Sequence, residues 1–154
     1  GENFLPGYLN VTQRANHCEL CATAGGDILW ESPTCRVIRV DDPHYPGFCR
    51  VIWNAHVREM TDLDPGQQQY LMSVVFAVEA VLRQLVSPDK INLASFGNMV
   101  PHLHWHVIPR WQDDRNFPEP IWGSVQRAGS EKRPAISNRE LAAALSLALN
   151  SAEK

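Results

Sequence analysis

Between His102 and Val107 the chain alternates without a break, as His102-Leu103-His104-Trp105-His106-Val107. Successive side chains of a β-strand point to opposite faces. Read as a strand, the segment puts three imidazoles on one face and Leu103, Trp105 and Val107 on the other. The fold must then supply a sheet with one face packed on an apolar core and the other presenting the histidines. Three imidazoles are a poor way to stabilise a sheet, because each brings nitrogens that need partners and a charge that changes near neutral pH. At a spacing of two they can address one small ligand together. A metal held by all three is one option, since zinc accepts three histidines.

The flanking sequence supplies the rest of such a sheet. Cys35 to Val40 and Phe48 to Trp53 read as antiparallel strands joined by the loop Asp41-Asp42-Pro43-His44-Tyr45-Pro46-Gly47. Asp64-Pro65-Gly66-Gln67 has a capping residue, Pro at the first helical position and Gln three after the cap. Tyr70, Leu71, Val74, Val75, Val78, Val81, Leu82 and Leu85 then recur at three and four, which predicts an amphipathic helix of about five turns. Ser87-Pro88-Asp89 ends it. Ile91 to Phe96 reads as a third strand before the triad strand, with Gly97-Asn98 as punctuation. Ser137-Asn138-Arg139-Glu140 is a second capping box, opening a Leu/Ala helix to about Leu149. The expected class is α+β, an antiparallel sheet with the long helix on one face. Trp105 is expected in the core, Trp122 in core or edge packing with closure of the site, in cis or across a dimer, as the alternative, and residues 111–115 in a solvated loop. Cys35 and Cys49 are expected as buried small hydrophobes, and His44 on the surface.

Composition narrows the function classes. With 14 basic and 17 acidic residues the net charge is -3, which argues against a protein that lives on a nucleic-acid backbone. No apolar run approaches the roughly 20 residues that span a bilayer. Gly1 to Asn10 lacks a basic start followed by an apolar block, so no signal peptide is visible. Four cysteines in 154 residues are too few for a disulfide scaffold, and the expected location is cytoplasmic. Cys18-Glu19-Leu20-Cys21 has the two-residue gap that zinc favours. One pair supplies half a site, so a redox dithiol and two plain thiols stay open beside it.

The triad runs on into Val107-Ile108-Pro109-Arg110 and is preceded by Gly97-Asn98-Met99-Val100-Pro101. This resembles the histidine-triad (HIT) family, whose pattern is His-x-His-x-His followed by two apolar residues and often Pro-Arg, and preceded by Gly-Gln-x-Val. Asn98 stands where many members carry Gln and keeps an amide. Val51-Ile52-Trp53-Asn54-Ala55-His56-Val57 resembles the family's strand and the histidine after it. The resemblance covers residues 17–123 and is strongest from Ile91 to Arg110. It leaves 1–16 as an irregular N-terminal segment and 124–154 as a loop and C-terminal helix.

The resemblance implies a hydrolase or nucleotidyltransferase acting at the α-phosphate of a nucleotide phosphoanhydride, phosphoramidate or dinucleoside polyphosphate. His104 would attack phosphorus and His106 would assist. Gly97, Asn98 and Met99 would hold phosphate oxygens, Asn92 would contact ribose or phosphate, and Arg110 would add positive charge or close a strand on the surface. The resemblance further implies a structural zinc on Cys18, Cys21, His56 and His102, with His17 an alternative to His56, and a homodimer. A nucleotide-binding regulator without turnover and a purely structural zinc module are the competing readings.

Overall fold

The computed structural model describes residues 17–129 and 132–150; the segment 1–16 lies outside the described residues. The elements in chain order are a one-turn helix α1 (Glu19–Ala22), strands β1 (Asp27–Glu31), β2 (Cys35–Arg39) and β3 (Cys49–Trp53), a 3-10 turn (Met60–Asp62), helix α2 (Pro65–Val86), strands β4 (Lys90–Ala94) and β5 (His104–Arg110), and helix α3 (Asn138–Asn150). The five strands form one antiparallel sheet in the order β1-β2-β3-β5-β4. The triad strand β5 thus lies between β3 and β4, and α2 carries the chain across it. This is the expected α+β class, with a fifth strand, β1, that the sequence reading did not contain.

The helix signals act as written. Asp64 Oδ1 accepts from the Gln67 backbone N–H at 2.8 Å, and the Gln67 side chain accepts from Asp64 N–H at 3.0 Å. Ser87 ends α2 in the left-handed conformation. In α3 the Glu140 N–H donates to Ser137 Oγ at 3.1 Å. Between α1 and β1 the chain reverses at Gly25-Gly26. A Cβ on Gly26 would sit 2.5 Å from the Arg39 carbonyl oxygen, so only glycine fits that approach.

Strand parity sorts the two faces. Val37, Val51, Trp53 and Val107 face α2 and α3 and join Leu71, Val74, Val78, Leu82, Leu141 and Leu145 in the main core, with Trp105 packed against it. Cys35 and Cys49 are buried in the same cluster, as expected. Burying each of these aliphatic side chains contributes about 1.5–3 kcal/mol relative to exposure. The opposite face carries two smaller clusters. Cys18, Leu20, Ile38 and Ile52 pack at one end, and Tyr45, Phe48 and Ile108 at the other. His104 and His106 sit on this face as well, each with little exposed surface.

Two loop expectations are corrected. β5 runs through Pro109 to Arg110, beyond the expected end at Val107. The β3 pairing stops at Val107, so Pro109 deprives no β3 partner of a hydrogen bond. The segment after it is only partly solvated: Gln112 and Asp113 are exposed, while Trp111 is buried and Asp114 is buried against Arg110.

Candidate active site and metal centre

The antiparallel register sets Ile52 opposite His104 and Arg50 opposite His106. On the far side of β5, Ala94 of β4 lies opposite His106. A cavity of about 540 Å³ opens over this row, a size that takes a small organic ligand. His104, His106, Gly97, Asn98 and Met99 line it. Gly97 turns the chain out of β4 at φ +75°, where a side chain would be strained, and so lays the segment 97–100 along the rim.

Two expected contacts lie elsewhere. Arg110 and Asn92 are not among the residues lining the cavity. Arg110 is 2% exposed. It donates to Asn92 Oδ1 at 2.8 Å, to both Asp114 carboxylate oxygens at 2.8 and 3.0 Å, and to the Glu119 carbonyl at 2.7 Å. Its charge holds the loop after β5.

That loop delivers Trp122, for which packing was the first expectation and closing the site the alternative. Trp122 is 53% exposed and lines the cavity, with its ring 4.9 Å from His106 and 5.3 Å from Phe96, edge-on to both. Phe96 is 60% exposed. Arg50, Phe96, Glu19 and Leu20 also line the cavity and were not foreseen. A charged residue on the second strand, sharing parity with Ile52, was the one available signal for Arg50.

The hydrogen bonds define what each imidazole can do. His104 Nδ1 lies 2.5 Å from the His102 carbonyl oxygen, which can only accept. Nδ1 therefore carries the hydrogen, and Nε2 keeps its lone pair. Burial lowers the His104 pKa, the hydrogen bond to His102 opposes this, and Arg50 lowers it further. Burial, His104 and Arg50 together push His106 down to about 3. Both rings are neutral at pH 7.

His102 is fully buried and belongs to a different group. Ligand atoms of Cys18, Cys21, His56 and His102 all lie within 4.8 Å of one another. Cys18 Sγ is 3.4 Å from His102 Nδ1, and Cys21 Sγ is 3.4 Å from His56 Nδ1 and 3.6 Å from His102 Nδ1. A tetrahedral ion with bonds of about 2.3 Å to sulfur and about 2.0–2.1 Å to nitrogen would separate S and N by about 3.6 Å. His102 Nε2 donates to the Trp53 carbonyl at 2.5 Å, which leaves Nδ1 as the ligand nitrogen. The three sulfur–nitrogen distances match that separation, and the donor set is one that could hold a metal ion. His17, the alternative ligand, is exposed and outside the group.

The HIT domain profile matches residues 23–113, well over half of the chain. The chain belongs to the HIT family. A histidine triad protein from Marinobacter aquaeolei VT8 is 31% identical and superposes with a TM-score of 0.65, over 83% of this chain and 91% of that one. An AP-4-A phosphorylase from Mycobacterium tuberculosis is 32% identical over 88 residues, 53% of this chain and 45% of the relative. A bis(5'-nucleosyl)-tetraphosphatase [asymmetrical] from Schizosaccharomyces pombe is 28% identical over 90 residues, 55% of this chain and 50% of the relative. The chain spans about half the length of the curated relatives it matches.

Proposed function

We propose that this HIT protein is a nucleotide hydrolase or nucleotidyltransferase that works through a covalent nucleotidyl-histidine on His104. The observation that carries the reading is the hydrogen bond from His104 Nδ1 to the His102 carbonyl, which leaves Nε2 as a neutral nucleophile in the cavity. The Nε2 lone pair forms a bond to the α-phosphorus while the bond from phosphorus to the leaving group breaks and the leaving group takes its electron pair. Water or another acceptor then attacks phosphorus and the N–P bond breaks, returning the imidazole. Phe96 and Trp122 offer ring faces and edges to a nucleobase. The AP-4-A phosphorylase and tetraphosphatase relatives make dinucleoside polyphosphates the first substrates to try, with an adenylyl phosphoramidate beside them.

The same reading gives Cys18, Cys21, His56 and His102 to a structural zinc. Two thiolates and two imidazoles close a tetrahedral shell, with no open position for substrate. A purely structural zinc module, with all three histidines on metal, is disfavoured, because the ligand group takes only His102 of the triad. The family's homodimer is the working assembly of this proposal, and light scattering checks it.

Intact mass after mixing with each substrate tests the mechanism. Wild type is expected to show a transient nucleotidyl adduct, and His104→Ala none. Binding without an adduct or product in wild type would favour the nucleotide-binding regulator.

A further inference from the structure

Arg50 stands opposite His106 in the sheet register, with its side chain on the same face. Its Nε lies 3.3 Å from His106 Nδ1. A guanidinium has only donors, so His106 Nδ1 accepts and the neutral ring carries its hydrogen on Nε2. The tautomers of the two histidines are therefore opposite. His104 offers a lone pair at Nε2, and His106 offers an N–H there. A cation–π contact with the Phe48 ring, 5.7 Å from Cζ, holds the guanidinium plane.

The two terminal NH2 groups of Arg50 have no hydrogen-bond partner among the described residues. Arg50 is half-buried and is the one Lys or Arg among the described residues lining the cavity. Arg110, the cation beside the triad in sequence, is fully engaged elsewhere. An anionic phosphoryl group placed at His104 Nε2 thus has Arg50 as its cationic neighbour in the lining.

We infer that Arg50 serves the reacting phosphate twice: its Nε–H sets His106 as an Nε2–H donor, and its terminal NH2 groups bind non-bridging phosphate oxygens. This deepens the reading of His104 as nucleophile and rests on it. Arg50 exchanges no proton in the step. It stabilises charge on the oxygens as the N–P bond forms and the leaving group departs, through a planar fork that matches phosphate. Lysine offers a point charge and cannot serve both partners in that geometry.

The test uses metal-loaded wild type, Arg50→Met and Arg50→Lys. Three quantities are read: kcat and KM on an adenylyl phosphoramidate, calorimetric affinity for AMP and for adenosine, and long-range 1H–15N spectra of the histidine rings, with His106 assigned from its own variant. In Arg50→Met, kcat is expected to fall on the order of 100-fold. Affinity for AMP should fall on the order of 10-fold, with adenosine unchanged. The His106 spectrum should show Nε2–H in wild type and lose that single tautomer in Arg50→Met. Arg50→Lys should recover part of the AMP affinity and neither the tautomer nor kcat. AMP affinity and kcat within twofold of wild type in Arg50→Met, or a wild-type His106 that carries its hydrogen on Nδ1, would overturn the inference. If wild type itself shows no turnover, the nucleophile reading fails, while the AMP-to-adenosine ratio and the tautomer still decide the role of Arg50.

Discussion

Arg110 and Asp114 show how a charged residue beside the histidine triad can be structural. The pair is buried and bidentate, and Asp114 also accepts from the backbone N–H groups of Trp111, Asn116 and Phe117 and from the Tyr45 hydroxyl. Burial pushes the Asp114 carboxyl up. The Arg110 guanidinium and the three N–H groups outweigh that and hold it at about 2. A carboxyl lower in the folded than in the unfolded chain contributes stability above its ordinary value of 3.8, and that contribution is lost as pH falls through about 2. Asp114→Asn leaves the Arg110 charge buried without its counter-charge and is expected to cost about 3–5 kcal/mol at pH 7. The penalty should shrink as wild type is taken from pH 4 towards pH 2. Urea unfolding of both proteins across that range measures it, and a pH-independent difference would contradict the assignment. Trp122, eight residues on, should also shift in fluorescence, because the ion pair anchors its loop.

Helix α1 is one turn long and cannot hold itself, since isolated short helices are marginal in water. Arg36 pins it to the sheet. Its guanidinium donates to the carbonyls of Leu20 at 2.8 Å, Ala24 at 2.9 Å and Thr23 at 3.2 Å, and to Asn54 Oδ1 at 2.8 Å. These bonds place Cys18 and Cys21 against His102. Arg36→Met is expected to weaken zinc binding about 10- to 100-fold while α2 and the main core keep their packing. Competition with a chromophoric chelator reads the affinity, and unchanged affinity would assign the positioning to the ligands alone. Strand β1 carries a related lesson. Its pairing with β2 is irregular between Ile28 and Trp30, so Leu29 and Trp30 are both buried. The bulge breaks the period-two pattern by which a strand is read, so β1 is not legible as a strand in the sequence.

The cavity draws on the α1 turn, β3, the segment 96–100, β5 and the loop that carries Trp122. Because Glu19 and Leu20 lie between the two cysteines and line it, the Cys/His group proposed for zinc shares a wall with His104 and His106. Zinc removal is expected to lower the melting temperature and to weaken AMP binding together, since an ion at about 1,000 times its Kd adds about 4 kcal/mol to the folded state. Calorimetry before and after chelation, with zinc returned as the control, measures both. AMP affinity that survives chelation would separate the two sites. Helix α2 is 22 residues long and apolar enough by length and composition alone to reach across a bilayer, although Glu79 and Arg83 interrupt its apolar run as expected. Leu71, Val74, Val75, Val78, Val81, Leu82 and Val86 are buried, so its apolar face is spent on the sheet.

Local pattern was enough for six of the elements and for the imidazole row. Period two, period 3.6 and the capping boxes are properties of neighbours in the chain, and they mark β2, β3, α2, β4, β5 and α3 within a few residues. The Cys18, Cys21, His56 and His102 set was legible through resemblance, and the structure brings those four together. Arg50 and Trp122 depended on distance in space. Arg50 reaches His106 across 56 residues because β3 pairs with β5 in one register, and a slip of one residue would turn it to the core face. Trp122 reaches the cavity because the buried ion pair folds its loop back. Which cation met the histidines was set by strand pairing and burial, which no local periodicity encodes: Arg50 faces the cavity, while Arg110, four residues from His106, is locked away from it.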